Sequence, residues 1–350
     1  IDDTAALADR NQVILGFSVG VIKFLTPNGS TNGEQFPATS GVLHMDDLRL
    51  PLYLHMSNKS IGSGQKTALY HMFITHSTPP LSFTIPQIIR KEKPMIANYH
   101  THTPRCMHAT GAEEEYVRCA IDAGYQILGF ADHTPYPFTN GYVSHFRMSV
   151  AQLEDYVRTV RQLAQKYASQ IQIHLGVEAE YYPKFFPQMV DLLREQGVEY
   201  MILGQHMVGN EWNEPYSGHP TADVHLLERY CNQSIEAMYT GLFTYFAHPD
   251  LIYFTGEKKD YRQQMRRLCQ AANNCQMPVE LNLLGMDGNR HYPTPAFWEV
   301  AAEENCRVIM GVDAHQPQAL LDKALQQRGR EFLQSYGLTP METVTLRPIR

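Results

Sequence analysis

The sequence predicts an α/β fold of repeated strand–helix units, a parallel β/α barrel over residues 95–350 behind an N-terminal extension of residues 1–94. Three observations carry the prediction. From Met95 onward seven short apolar runs alternate with amphipathic stretches; each run ends on a side chain able to bind a metal or a polar substrate; and residues 1–94 have neither feature.

The candidate strands are 95–99, 127–131, 171–177, 200–204, 243–247, 278–282 and 307–312. After the first, Thr110 and Glu113 have capping-box spacing ahead of Tyr116, Val117, Ala120 and Ile121, which share one helical face. Ser149 and Gln152 repeat that signal. Further helices are expected at 185–196, 221–239 and 260–275, then at "TPAFWEVAAEEN", where Thr294 is the N-cap and Pro295 the first helical residue. A last helix is expected over 317–328.

Residues 1–94 contain the turn-rich stretches "LTPNGSTNGEQFPATSG" and "SNKSIGSGQK" and no strand–helix alternation. They carry a net charge of +1 and leave −8 to the remainder. The chain opens on Ile, whereas "MIANYHTHT" at Met95 reads as an ordinary protein start. The extension is therefore expected to be an appended or upstream-translated segment, with a small accessory domain as the competing reading.

A chain of 350 residues that is 43% hydrophobic and 19% charged can bury one large core. Net charge −7 without a basic block disfavours nucleic acid as a partner. No apolar run approaches the roughly 20 residues of a membrane span, and no signal-like segment opens the chain. The six cysteines form no Cys-x-x-Cys pair. The expectation is a protein of the reducing cytoplasm with no membrane partner.

The strand ends are more informative than the strands. "MIANY" runs into His100, "ILGFA" into Asp132 and His133, and "IQIHLGV" into Glu178. "MILGQ" precedes His206, "LFTYFA" precedes His248, "PVEL" precedes Asn282, and "RVIMGV" precedes Asp313 and His315. In a parallel barrel all strand C-termini lie on one face, so these groups converge on one rim. His100 and His102 point to the same side of extended chain, and His108 can fold back from the loop. A single histidine after a strand is more often a structural residue; recurrence at successive strand ends is what points to a metal site. Seven imidazoles with Glu178 and Asp313 exceed one ion's needs and suit two or three, with a carboxylate bridging. The remaining histidines, among them His174 and His291, lack this placement.

The residues "NYHTHTPRCMHATGAEEEYVRCAIDAGYQILGFADHTPYP", "GVEAEYYP", "GQHMV", "AHPD", "VELN" and "GVDAH" resemble, in order, the polymerase and histidinol phosphatase (PHP) superfamily. The resemblance spans about Met95 to Pro317 and is nearest to the monofunctional histidinol-phosphatases. It implies a distorted (β/α)7 TIM-like barrel holding three divalent metal ions, of zinc, manganese or iron. It implies one ion on His100, His102, Glu178 and Asp313, a second on His108, His133 and His315, and a third on Glu178, His206 and His248. The implied activity is hydrolysis of L-histidinol phosphate in histidine biosynthesis.

Phosphomonoester hydrolysis also needs a proton for the departing alcohol and a grip on the phosphate. Asp132 is the nearest candidate acid, with orientation of a ligand histidine or water as its other role. Arg290, in "GMDGNRHYPTP", resembles the phosphate-gripping arginine of the histidinol-phosphatase branch, and Arg105 is the second choice. Tyr181 and Asn282 complete the expected substrate contacts. The competing readings are another phosphoesterase of the superfamily, acting on nucleotides or small phosphomonoesters, and a metal-dependent scaffold without turnover.

Overall fold

In the computed structural model, residues 94–349 are described throughout, and before them only the backbone of short strands between Thr4 and Thr84. The chain divides into two compact units, Ile1–Lys91 and Glu92–Arg350. In the first the strands pair antiparallel, Leu52–Ile61 with Gln65–Ile74 being the longest pair. The reading of residues 1–94 as an appendage otherwise falls outside the described residues.

The second unit is an eight-stranded sheet of β1 (Ala97–Asn98), β2 (Ile127–His133), β3 (Gln172–Ala179), β4 (Tyr200–Leu203), β5 (Phe243–Phe246), β6 (Val279–Asn282), β7 (Val308–Gly311) and β8 (Pro340–Met341). Every neighbouring pair is parallel and sequential. The sheet curls until its first and seventh strands meet at their C-terminal ends. There Thr101 bridges Ala314, the Ala314 amide donates to the His100 carbonyl at 3.1 Å, and the His102 amide donates to the Ala314 carbonyl at 2.9 Å. At the other end β8 pairs with the start of β7. The seven expected strands are all present; β8 was not expected, because two residues containing a proline give no apolar run to read.

The interior is filled by aromatic rings set against missing side chains. Tyr200 donates to the Tyr99 carbonyl at 2.8 Å, and a Cβ on Gly129 or Gly176 would collide with its ring. Glycine in these strands thus makes room for a tyrosine on the next strand but one or beside it. The outer faces are covered by α1 (Glu113–Ala123), α2 (Leu153–Lys166), α3 (Phe186–Glu195), α4 (Val224–Tyr239), α5 (Lys258–Asn274), the short α6 (Leu283–Asp287), α7 (Pro295–Glu303) and α8 (Lys323–Ser335). The longer ones bury a stripe: Tyr156, Val157, Val160 and Leu163 on α2 recur at three- and four-residue spacing, and each such apolar side chain contributes about 1.5–3 kcal/mol. No helix among the described residues is long and apolar enough to cross a membrane.

Two helix boundaries differ from expectation. Gly111 at φ +88° turns the chain before α1, so the capping residue is Ala112, whose amide donates to Glu115 at 2.7 Å, rather than Thr110 with Glu113. The expected 317–328 helix is broken at Asp322, which ends a 3-10 turn (Pro317–Leu321) and caps α8 by accepting from the Leu325 amide at 2.8 Å. Ser149 and Thr294 stand at helix starts as expected.

Candidate active site

Strand ends set the ligands. His100 and His102, two residues apart beyond β1, are fully buried on the same side. A 3-10 turn (Pro104–Cys106) follows, and Met107 in the left-handed region at φ 69° folds His108 back toward them. His133 and Glu178 lie at the ends of β2 and β3, His206 and His248 just past β4 and β5, Asp313 and His315 just past β7. His248 at φ 33° and Asp313 at φ 53° are non-glycine residues in the left-handed region. Such backbone costs about 1–3 kcal/mol per residue and is concentrated at functional sites.

All nine expected ligands come together, with Glu178 as the hub. Its carboxylate lies 2.7 Å from His248 Nε2, 3.2 Å from His133 Nδ1, 3.5 Å from the Nε2 atoms of His100 and His102, and 3.6 Å from His206 Nε2. Asp313 Oδ1 is 3.1 Å from His102 Nε2 and 3.4 Å from His100 Nε2. His108, His133 and His315 form one triad with ligand atoms within 4.8 Å of one another; so do His100, His102 and Asp313, and His100, Glu178 and His248. Cys106 joins His102 and His315 in a further such group.

Several of these atoms are buried with no hydrogen-bond partner among the described residues: His100 Nε2, both nitrogens of His102, His133 Nδ1, His248 Nδ1, Glu178 Oε2 and Asp313 Oδ1. Buried polar atoms without partners are costly and rare. Divalent cations would satisfy those that face Glu178 and Asp313, so the donor set fits the metals that the resemblance implies. The electrostatics agree. Burial would raise Glu178, yet His206, His100 and His133 hold it well below the usual carboxylate range. Burial and neighbouring His102 push His315 down to about 3, which keeps its lone pair available.

The far edge of most rings is held by an oxygen. Glu280 takes His100 Nδ1 at 2.8 Å and Glu180 takes His206 Nδ1 at 2.8 Å. The carbonyls of Cys106 and Asp313 accept from His108 Nδ1 at 2.7 Å and His315 Nδ1 at 3.0 Å. This fixes the tautomer that presents the other nitrogen to a cation. Arg147, itself buried, braces Glu180 at 2.9 Å and Glu211 at 2.6 Å. Glu180, Glu280 and Arg147 were missed in the sequence. The available signal was an acidic residue inside an apolar run, as in "PVELN".

The cluster floors a cavity of about 490 Å³ whose other wall is Phe146, Met207, Tyr216, Leu284, Arg290 and Tyr292. Arg290 is thus at the cavity as expected. Three other assignments are corrected, and Asp132 is placed for one of its two expected roles. Asp132 lies behind the ligands, accepting from Thr103 Oγ1 and the His133 amide, with His102 Nδ1 at 3.5 Å; that position is beside a histidine and not one for the acid. Arg105 is spent on Glu113 and Asp155. Tyr181 packs edge-on to Phe186 at 4.8 Å, away from the cavity. Asn282 donates to Glu280 and to Asp313 Oδ2 at 3.0 Å, so it positions a ligand rather than touching substrate.

A parallel α/β barrel with a buried cluster of imidazoles and carboxylates at its strand C-termini defines a metal-binding enzyme barrel. The PHP domain family model matches residues 98–283. The chain belongs to the PHP domain family. A Deinococcus radiodurans protein named "Probable histidinol-phosphatase" is 29% identical over 232 residues, covering 63% of this chain and 87% of that protein. The Bacillus subtilis histidinol-phosphatase is 29% identical over 115 residues, 31% of this chain and 43% of that protein. Among solved structures, histidinol phosphate phosphatase from Lactococcus lactis, complexed with zinc, L-histidinol and phosphate, matches with a TM-score of 0.55 at 15% identity, covering 72% of this chain and 99% of that one.

Proposed function

We propose that this chain is a histidinol-phosphatase, a cytoplasmic phosphoric monoester hydrolase that converts L-histidinol phosphate to L-histidinol and phosphate in histidine biosynthesis. The observation that carries this reading is the buried cluster around Glu178, flooring a cavity large enough for a small phosphomonoester. The names of the relatives support the substrate, and six unpaired cysteines suit a reducing compartment.

His100, His102 and Asp313 would hold one ion, His108, His133 and His315 a second, and Glu178, His206 and His248 a third, Glu178 being shared; zinc, manganese and iron all suit such donors. Bound divalent ions supply a nucleophile from water at neutral pH and neutralise phosphoryl charge. The chain's own residues do the rest. Arg290, at the cavity mouth, grips the phosphate through a planar fork. Phe146, Tyr216 and Leu284 receive the organic part of the ester, and Glu180 and Glu280 keep His206 and His100 turned inward.

The test is hydrolysis of L-histidinol phosphate against a panel of nucleotides and sugar phosphates by protein loaded with zinc or manganese. A kcat/KM at least about 100-fold above the panel supports the reading, since selectivity of that size is within reach of a site built to hydrogen-bond one ester. Equal rates across the panel overturn the substrate.

A further inference from the structure

With Asp132 behind the ligands, the departing alcohol needs another proton source, and the structure offers one in a residue that the sequence had not singled out. Tyr292 lines the cavity, its ring 6.0 Å from that of His248, and only 2% of it is exposed. Its position is held by the packing of its ring and by its chain neighbours. The ring lies against Gly285, where any Cβ would collide with it. The residues beside it are tied to the segment after β5: His291 Nε2 donates to the Leu251 carbonyl at 2.7 Å, and the Thr294 amide donates to Asp250 at 2.7 Å. The His291 ring is also stacked on Tyr253 at 4.3 Å.

The hydroxyl itself is held in place. Arg290 Nη1 donates to Tyr292 Oη at 2.8 Å, so the oxygen already accepts from a cation. Its own proton has no acceptor among the described residues. Burial and the Asp313 charge hold the phenol well above its ordinary range, with Arg290 opposing them, so the hydroxyl keeps its proton until a strong base develops beside it. The result is an immobilised donor in the same cavity as the cluster of imidazoles and carboxylates, beside the arginine expected to hold the phosphate.

Resting on the phosphatase reading above, we propose that Tyr292 is the catalytic residue that protonates the departing alcohol. Water attacks phosphorus, the phosphorus–ester oxygen bond breaks, and its electron pair passes to the ester oxygen. That oxygen takes the Tyr292 proton as the bond ruptures. The phenolate, held by Arg290, regains a proton released by the attacking water, so one water is divided between alcohol and phosphate. The acceptor is the alkoxide that develops as the bond ruptures, a base strong enough to take the proton at that moment and not before.

The experiment compares wild type with Tyr292→Phe on two substrates, L-histidinol phosphate and p-nitrophenyl phosphate, with metal content and thermal midpoint measured on the same samples. The nitrophenolate needs no proton to leave, and the alkoxide does. General-acid assistance contributes about 10²–10⁴-fold, so Y292F is expected to lose about 100-fold or more in kcat/KM on the alkyl ester and less than about 3-fold on the aryl ester. Metal content is expected to be unchanged. Equal losses on both esters, or no loss on either, overturn the proposal while leaving the phosphatase reading standing. A wild type that hydrolyses neither ester overturns both.

Discussion

Glu280 Oε1 lies 2.8 Å from His100 Nδ1, and both side chains are fully buried. The same carboxylate accepts from the His248 amide at 3.1 Å and from Asn282 at 3.1 Å, so one buried acid sets the orientation of two strand ends. With Nδ1 of His100 committed to it, Nε2 is left to face Glu178 and Asp313. Replacing Glu280 by Gln keeps the shape but removes the charge that sharpens the imidazole as a donor. Loss of such a support costs about 10–100-fold in metal affinity. E280Q is expected to show that loss in a chelator-competition titration; an unchanged affinity would show that His100 is held by packing alone.

Gly204 argues the same point from empty space. A Cβ there would run into the Glu178 carboxylate, which is enclosed on its other sides by five histidines. Gly204→Ala therefore has to displace the hub of the cluster. The expected result is folded protein with substoichiometric metal by elemental analysis and at least about 100-fold lower kcat, because misplacement by about 1 Å at a reacting site costs that much. Full metal content with normal kcat would mean that the loop moves instead of Glu178.

The strands and the convergence of the nine candidate ligands were legible in the sequence for one reason: apolar runs ending on histidine or acid record a barrel whose polar groups gather at one rim. "MIANYHTH" and "GVDAH" state this locally. What was not legible depends on pairs distant in sequence. Asp132 looked like an acid because it adjoins His133, but its side chain is drawn back by Thr103. Arg105 looked free because Glu113 and Asp155, its partners, come from two helices whose approach is tertiary. β8 was hidden because its two residues owe their pairing to the start of β7 rather than to any pattern of their own.

The two arginines give a direct contrast. Arg105 is paired with two carboxylates outside the cavity, whereas Arg290 lies at the cavity with part of its fork uncommitted. Hydrogen bonds to charged groups contribute about 1.5–3 kcal/mol. Arg290→Ala is expected to raise KM for the phosphate ester about 10–100-fold, and Arg105→Ala to leave KM within about 2-fold while lowering the thermal midpoint. Steady-state kinetics of the two variants decide it, and a KM effect in R105A alone would reverse the assignment.

Metal removal should be felt as stability, because the buried atoms without partners then have nothing to satisfy them. An ion at 100 times its dissociation constant stabilises by about 2.7 kcal/mol, and about 1 kcal/mol moves the midpoint by roughly 2–4 °C in a unit of this size. Dialysis against a strong chelator is expected to lower Tm by about 5–10 °C, with recovery on adding zinc or manganese. A Tm indifferent to chelation would mean that the cluster is already satisfied without cations.

The boundary at Met95 makes a final prediction. Met95 is 4% exposed, and its amide donates to Gln326 Oε1 at 3.3 Å, while Gln326 in turn donates to Tyr125 at 2.9 Å. From that residue on, the chain is tied to α8 and to the segment before β2; Pro94, one residue earlier, is exposed. The second compact unit begins at Glu92. We propose that the phosphatase unit is 95–350 and that residues 1–94 are dispensable to it. Brief trypsin treatment is expected to leave a resistant fragment that begins close to Met95 and keeps the kcat/KM and Tm of the whole chain, since buried, hydrogen-bonded backbone such as that from Met95 onward resists cleavage. A fragment that loses activity or unfolds on cutting would make the extension part of the working enzyme and would move the domain boundary upstream.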